Sequence, residues 1–203
     1  FSAYVDGLPL LVDAGVETYT AKTFGPDRYD IWTMQTAYHN LPIFNGVQQL
    51  NGEEYRATDA AYSANDDGAQ FSADIKSAYP ECGLSAWQRT VEHKRGIEIT
   101  VQDNYTFDGA PSDLQWHLMT PSNVDIREKG VLHLTPAETI ENHLSAEGWV
   151  QFDPDAVDVS QEEIEITDER MSAFWGARLI RITLTARSPG KQGTFKIRIS
   201  KER

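Results

Sequence analysis

The sequence has little of what anchors most small domains covalently. It holds a single cysteine, Cys82, among 203 residues, which excludes an internal disulfide and any multi-cysteine metal site. It has no run of 18 apolar residues, the length at which a segment reads as a membrane-spanning helix. Basic residues are also scarce: 18 Lys and Arg against 31 Asp and Glu give a net charge of −13. Nucleic-acid binding depends on Lys and Arg neutralising phosphates, so that class is excluded as a partner. The same charge sits awkwardly with a polyanionic ligand. Long helical patterns, internal repeats and low-complexity tracts are absent too.

What remains is apolar and aromatic residues in short, punctuated runs. Five Trp, eight Tyr and eight Phe are ample for the faces of sheets. Alternating or short apolar runs bounded by turn residues predict strands at Phe1 to Val5, Leu8 to Val12, Leu41 to Phe44, Gln70 to Ala78, Trp87 to Lys94, Ile97 to Tyr105, Leu114 to Met119, Val131 to Leu134, Arg178 to Thr185 and Thr194 to Ser200. Asp6-Gly7 and Asn45-Gly46 between such runs are hairpin turns. In Ile97 to Val101 and Phe195 to Ile199 the alternation is clean, so one face is buried and one is wet. Helix signals are confined to Asp168 to Trp175 and to Pro136 to Leu144, the latter with Thr135 as N-cap and Glu138 as its box partner. Asp153 to Glu163, acidic and proline-containing, reads as a long loop within one domain spanning residues 1–203. The fold expected is all-β: an antiparallel β-sandwich, jelly-roll-like with large sheets and very little helix.

Chemistry concentrates in the first fifty residues. Leu10-Leu11-Val12-Asp13-Ala14-Gly15 is an apolar run ending in a carboxylate, which must be paired, hydrogen-bonded or metal-bound if buried. Twenty-six residues on, Thr36-Ala37-Tyr38-His39-Asn40 runs into another apolar strand. By spacing alone, Asp13 and His39 make either half a zinc site or a capped turn plus a satisfied histidine. His93, His117, His133 and His143 lack ligand-like spacing, although His117 alternates with Gln115 and Met119 in a way that suits a groove. Trp116, Trp149 and Trp175 read as core, with stacking on sugars as the sharper alternative. Cys82 sits in a turn between Pro80 and Gly83, with nothing to mark it as a nucleophile.

Phe1 to Tyr19, then Arg28-Tyr29, Ala37-Tyr38-His39-Asn40 and Asn45-Gly46-Val47-Gln48-Gln49, together resemble the opening of the heparinase II/III-like C-terminal domain. That pattern is an apolar strand, a Gly-x-Pro turn, an Asp-x-Gly strand end, a Thr-Tyr, a His-Asn and a Gly-x-x-Gln. The resemblance thins towards Met119, where Trp87 to Val91 and Val101 to Tyr105 still fit. It implies the sandwich part of a polysaccharide lyase, a carbon–oxygen lyase that cleaves uronic-acid-containing polysaccharide by β-elimination. It further implies a helical N-terminal domain of the same chain as partner, and a secreted or periplasmic location for the parent, with the cytoplasm left open. Family members that carry zinc hold it with two His and one Asp, which places Asp13 and His39 as metal ligands. The other His belongs to a segment for which Phe1 matches the final residue, so metal binding by these 203 residues alone is expected to be weak or absent. Tyr19, Arg28 and Tyr29 become candidates for substrate contact, against a plain reading of aromatic packing and a surface Arg. Alone, the chain is expected to be inactive. The rival from another class is a non-catalytic carbohydrate-binding or architectural sandwich, which an exposed aromatic row with Asp13 and His39 apart would favour. On the lyase reading the pair lies side by side, because two donors on one zinc are within about 4 Å of each other, twice a bond of roughly 2.0–2.2 Å.

Overall fold

A computed structural model describes residues 1–139 and 143–203. The strands are β1 (Ala3–Val5), β2 (Leu8–Leu11), β3 (Pro42–Phe44), β4 (Thr58–Ala64), β5 (Gly68–Asp74), β6 (Leu84–Lys94), β7 (Glu98–Phe107), β8 (Leu114–Thr120), β9 (Asn123–Asp125), β10 (Val131–Thr135), β11 (Gly148–Gln151), β12 (Val157–Glu165), β13 (Arg178–Ala186) and β14 (Gln192–Ser200), with one short α-helix, α1 (Glu169–Trp175). They form an eight-stranded sheet in the order β4-β5-β6-β7-β14-β11-β10-β9, a four-stranded sheet in the order β12-β13-β8-β3, and a separate β1–β2 hairpin. The pairings are antiparallel throughout, as an all-β sandwich requires.

Alternation explains how the sheets close on each other. β7 pairs with β14 so that Ile99 opposes Ile199 and Val101 opposes Ile197. All four contribute to the main core, while Gln102 and Lys196, opposed in the same ladder, lie on the other face. Aromatic rings then lock the layers. Trp116 of β8 stacks on Phe195 of β14 at 3.9 Å between centroids, and Phe44 of β3 meets Phe107 of β7 at 5.0 Å. Both predicted Asx-Gly turns form with two left-handed residues, Asp6 and Gly7 with φ of 51° and 84°, and Asn45 and Gly46 with φ of 50° and 71°. The first closes the β1–β2 hairpin, whereas the second carries only an isolated Phe44–Val47 bridge, because β3 pairs with β8.

Several expectations are corrected. Residues 157–165 are not loop but β12, paired along its length with β13. Its carboxylates disguised it: Glu162 pairs with Arg181 and Asp158 with Arg187 across the ladder, and charge on an edge strand guards it from foreign pairing. Thr135 ends β10 rather than capping a helix, and Glu138 bridges Leu144 in antiparallel fashion; the middle of that predicted helix, residues 140–142, lies outside the described residues. The helix at Glu169–Trp175 does form, its N-cap Asp168 accepting a hydrogen bond from the Met171 amide at 2.9 Å. Trp149 is not core but lies on the outer face, its ring stacked on His133 at 4.7 Å. His117 faces no groove: it is 4% exposed, bonded through Nδ1 to Thr183 Oγ1.

The stretch between β2 and β3 forms four consecutive 3-10 turns, Lys22–Phe24, Pro26–Asp30, Trp32–Met34 and Thr36–Tyr38. Trp32 and Tyr38 from this stretch pack on a second small core of Val12, Ala14, Met119, Ile166, Met171 and Leu179. That packing brings His39 back to the end of β2.

Candidate functional site

Asp13 stands where β2 ends. Its Oδ1 accepts a hydrogen bond from the Gly15 amide at 3.1 Å, an Asx turn that fixes the carboxylate. Gly15 has φ of 80° there, a conformation that favours glycine. His39 emerges in extended conformation from the last 3-10 turn. Its Nδ1 lies 2.8 Å from Asp13 Oδ2, and its Nε2 lies 3.1 Å from the carbonyl of Thr33.

Electrostatics follow from these contacts. The hydrogen bond from His39, partly opposed by burial, holds the Asp13 carboxyl below its ordinary range. The same bond, again against burial, holds the His39 imidazole above its ordinary value. Both shifts favour the charged pair, with imidazolium donating from both nitrogens. The side chains are 48% exposed for Asp13 and 24% for His39, so the pair is open to a ligand.

Neighbouring Asn40 ties this site to the sandwich. Its Nδ2 donates to the carbonyls of Phe1 and Val12 at 2.6 and 3.1 Å, and its Oδ1 accepts from the Met119 amide at 2.8 Å. Arg89 of β6 donates to the Asn40 carbonyl at 2.7 Å. The same guanidinium forks onto Asp103 of β7 at 2.7 and 2.6 Å, and Trp116 Nε1 donates to Asp103 at 2.9 Å. Asp103 is 1% exposed. Sequence reasoning gave Asn40, Arg89 and Asp103 no role, yet a signal existed. Arg89 and Asp103 occupy inward positions of two alternating strands with opposite signs, and a buried charge must be paired.

Of the substrate-contact candidates, Tyr29 is brought to His39. Both line an open depression of about 370 Å³, together with Met34, Thr36, Gln49 and Leu50. Tyr19 and Arg28 are not among its lining residues. The Tyr19 ring is 57% exposed, edge-on to Phe24 at 5.6 Å and beneath the Arg170 guanidinium at 5.8 Å. Arg28 lies 5.9 Å from the ring of Tyr29.

As a metal set, the donors fit in part. The Thr33 carbonyl accepts from Nε2, the usual way a ligating imidazole is oriented, and leaves Nδ1 facing a carboxylate oxygen. Among the described residues no third His, Cys, Asp or Glu completes the group, whereas structural and catalytic zinc sites take at least three protein ligands.

Against known proteins, a family model described as heparinase II/III-like, C-terminal, matches residues 1–200. The fold is similar to that of heparan sulfate lyase HepC from Pedobacter heparinus, with a TM-score of 0.72, 15% identity, and coverage of 98% of this chain and 29% of that one. A heparinase III gene product aligns with a TM-score of 0.69 at 14% identity, over 98% of this chain and 28% of its own. Another heparinase III structure aligns with a TM-score of 0.63, again at 14% identity over 98% and 28%. The chain therefore spans under a third of the length of these solved structures. No curated protein matches the sequence. From the matched span and the sandwich that carries it, this chain belongs to the heparinase II/III-like C-terminal family, a β-sandwich domain of a polysaccharide lyase family.

Proposed function

We propose that this chain forms the sandwich wall of the substrate cleft in a lyase that cleaves uronic-acid-containing polysaccharide by β-elimination. The observation that carries the reading is the Asp13–His39 pair at 2.8 Å, two donors from distant segments converging at an open edge. The reaction removes the proton α to the uronate carboxylate, forms a C4–C5 double bond, and expels the C4 oxygen, which takes up a proton. It needs a base, a group that neutralises the carboxylate, and an acid for the leaving oxygen. The residues here supply at most part of that set, the remainder coming from a helical domain of the same protein.

Within this division of labour, Tyr29 contacts the polysaccharide beside His39, with Tyr19 and Arg28 further along the same exposed stretch. Asp13 and His39 would hold a zinc ion, with the third ligand from outside this chain. The ion would supply a fixed positive charge and a brace for the surrounding loops. The Thr33 carbonyl and the Gly15 amide hold the two donors in place, and Asn40 anchors their segments to β8. Of the two features that would favour the non-catalytic rival, Asp13 and His39 apart and an exposed aromatic row, the first is absent, since the two are in contact at 2.8 Å, and that contact supports the lyase reading.

A paired assay tests it. The full protein encoding this chain should release unsaturated, ultraviolet-absorbing ends from heparan sulfate, alginate or hyaluronan, and these 203 residues alone should not, because catalysis depends on groups positioned together. Turnover by the 203 residues at enzymatic rates, or inertness of the full protein on all three, would overturn the proposal.

A further inference from the structure

The eight-stranded sheet is wider than what covers it, and the uncovered part is apolar. Along the inward face of β5, Ala73 is 4% exposed while Phe71, two residues on, is 48% exposed. Tyr62, opposite Phe71 in the β4–β5 ladder, is 72% exposed. The cover therefore stops between Ala73 and Phe71. Inward positions beyond it carry Tyr62, Ala64, Ala69 and Phe71, a shelf of two paired rings flanked by methyl groups. These four positions are themselves uncharged, while Asp66, Asp67, Glu92, Lys94 and Arg95 line the depression at the Ala64–Ala69 end. Charge also distinguishes the two long edges. β12 is lined with Asp158, Glu162, Glu163 and Glu165, whereas β4 has only Asp59, at a register shift near the start of the strand.

The shelf is linked to the candidate site through β6. Phe71 opposes Val91, and Arg89, two residues from Val91 on the same face, reaches the Asn40 carbonyl at 2.7 Å. A diagonal cross-strand neighbour lies about 7–8 Å away, so Phe71 is one step from the network that carries His39.

We propose that Tyr62 and Phe71 form a saccharide-binding subsite, a stacking platform for sugar units of a polysaccharide beyond those held at the His39 depression. This inference rests on the lyase reading. Exposed ring faces suit the apolar faces of pyranose rings, and Tyr62 and Phe71, paired across the β4–β5 ladder, present two such faces side by side. Truncating either exposed ring leaves no buried cavity, so the fold survives the variants used to test it.

The test uses the isotope-labelled chain with heparan sulfate tetrasaccharide and dodecasaccharide as probes, followed by amide shifts in nuclear magnetic resonance. The dodecasaccharide should perturb β4, β5 and Gln49 to Asn51. Tyr62→Ala with Phe71→Ala should weaken its binding about tenfold while changing tetrasaccharide affinity less than about twofold. Tyr62→Phe, which keeps the ring, should bind as the parent does. Unchanged dodecasaccharide affinity in the double variant would overturn the subsite. Shifts confined to Gln49 to Asn51 would overturn it and leave the lyase reading standing; shifts confined to β4 and β5 would support the platform and remove the His39 depression. Shifts in neither place would remove both. A concentration-dependent doubling of mass abolished by the same two substitutions would reassign the shelf to a second copy of the chain.

Discussion

Two ion pairs flank Asn40, and they are built for different ends. Arg89–Asp103 is sealed in the core, its side chains 12% and 1% exposed, with a forked geometry and every Asp103 oxygen engaged. Asp13–His39 is a single contact at the surface, 48% and 24% exposed. The first cannot exchange its partners without leaving a buried charge bare; the second can give up its contact to a ligand at small cost. The difference teaches that the sandwich uses a fixed pair to hold an adaptable one in place, with Asn40 as the link.

Breaking the sealed pair should cost most. Asp103→Asn is expected to destabilise the chain by about 3–5 kcal/mol, since it strands the Arg89 charge in the core. Joint replacement by Arg89→Met and Asp103→Leu should recover most of that loss. Chemical denaturation of the two variants checks both outcomes.

A third buried polar group sharpens the contrast by titration. Burial, helped by Arg181, pushes the His117 imidazole down to about 4 from its ordinary 6.5. The unfolded chain then binds more protons than the folded one between these values, so stability falls as pH drops from about 6.5 to about 4. A shift of this size corresponds to about 3 kcal/mol. His117→Gln should flatten that part of the pH–stability curve, measured by thermal melts across it.

Cutting the link comes next. Asn40→Ala removes the partner of the buried Met119 amide and should cost about 2–3 kcal/mol. It should also broaden the His39 ring resonances more than Asp103→Asn does, because Asn40 is bonded to His39 through the backbone.

The exposed pair should matter least to stability. In metal-free chain, Asp13→Asn is expected to cost under about 1 kcal/mol, since solvent screens a half-exposed pair. The sign is fixed by the two shifts. The raised His39 value contributes stability fully present below 6.5 and lost as pH climbs through it, and the lowered Asp13 value contributes stability present above 3.8 and lost in acid. The cost of Asp13→Asn should therefore peak between about pH 4 and 6.5, as denaturation at several pH values would reveal.

Legibility in the sequence followed the same division. Strands with one wet and one dry face, such as β7 and β14, announce themselves by alternation, and the Asx-Gly turns by their need for left-handed backbone. β12 was hidden because its outward carboxylates mimic a loop, and β4 because Ala and Ser carry no strand preference. The 3-10 turns between residues 22 and 38 have no period to read. Asp13 and His39 were joined only through the family pattern, as their spacing alone favoured a capped turn and a satisfied histidine. Arg89 and Asp103 could have been matched as opposite charges at inward positions, but their meeting with Asn40 depends on a chain path that only the fold supplies.

The most direct test of the central claim is the metal content of the full protein carrying this chain, measured by mass spectrometry after purification without added metal. We predict one bound zinc per chain, lost in both Asp13→Ala and His39→Ala and retained in His117→Gln. Zinc that survives both site substitutions, or a full protein that takes up none when zinc is supplied, would contradict the account.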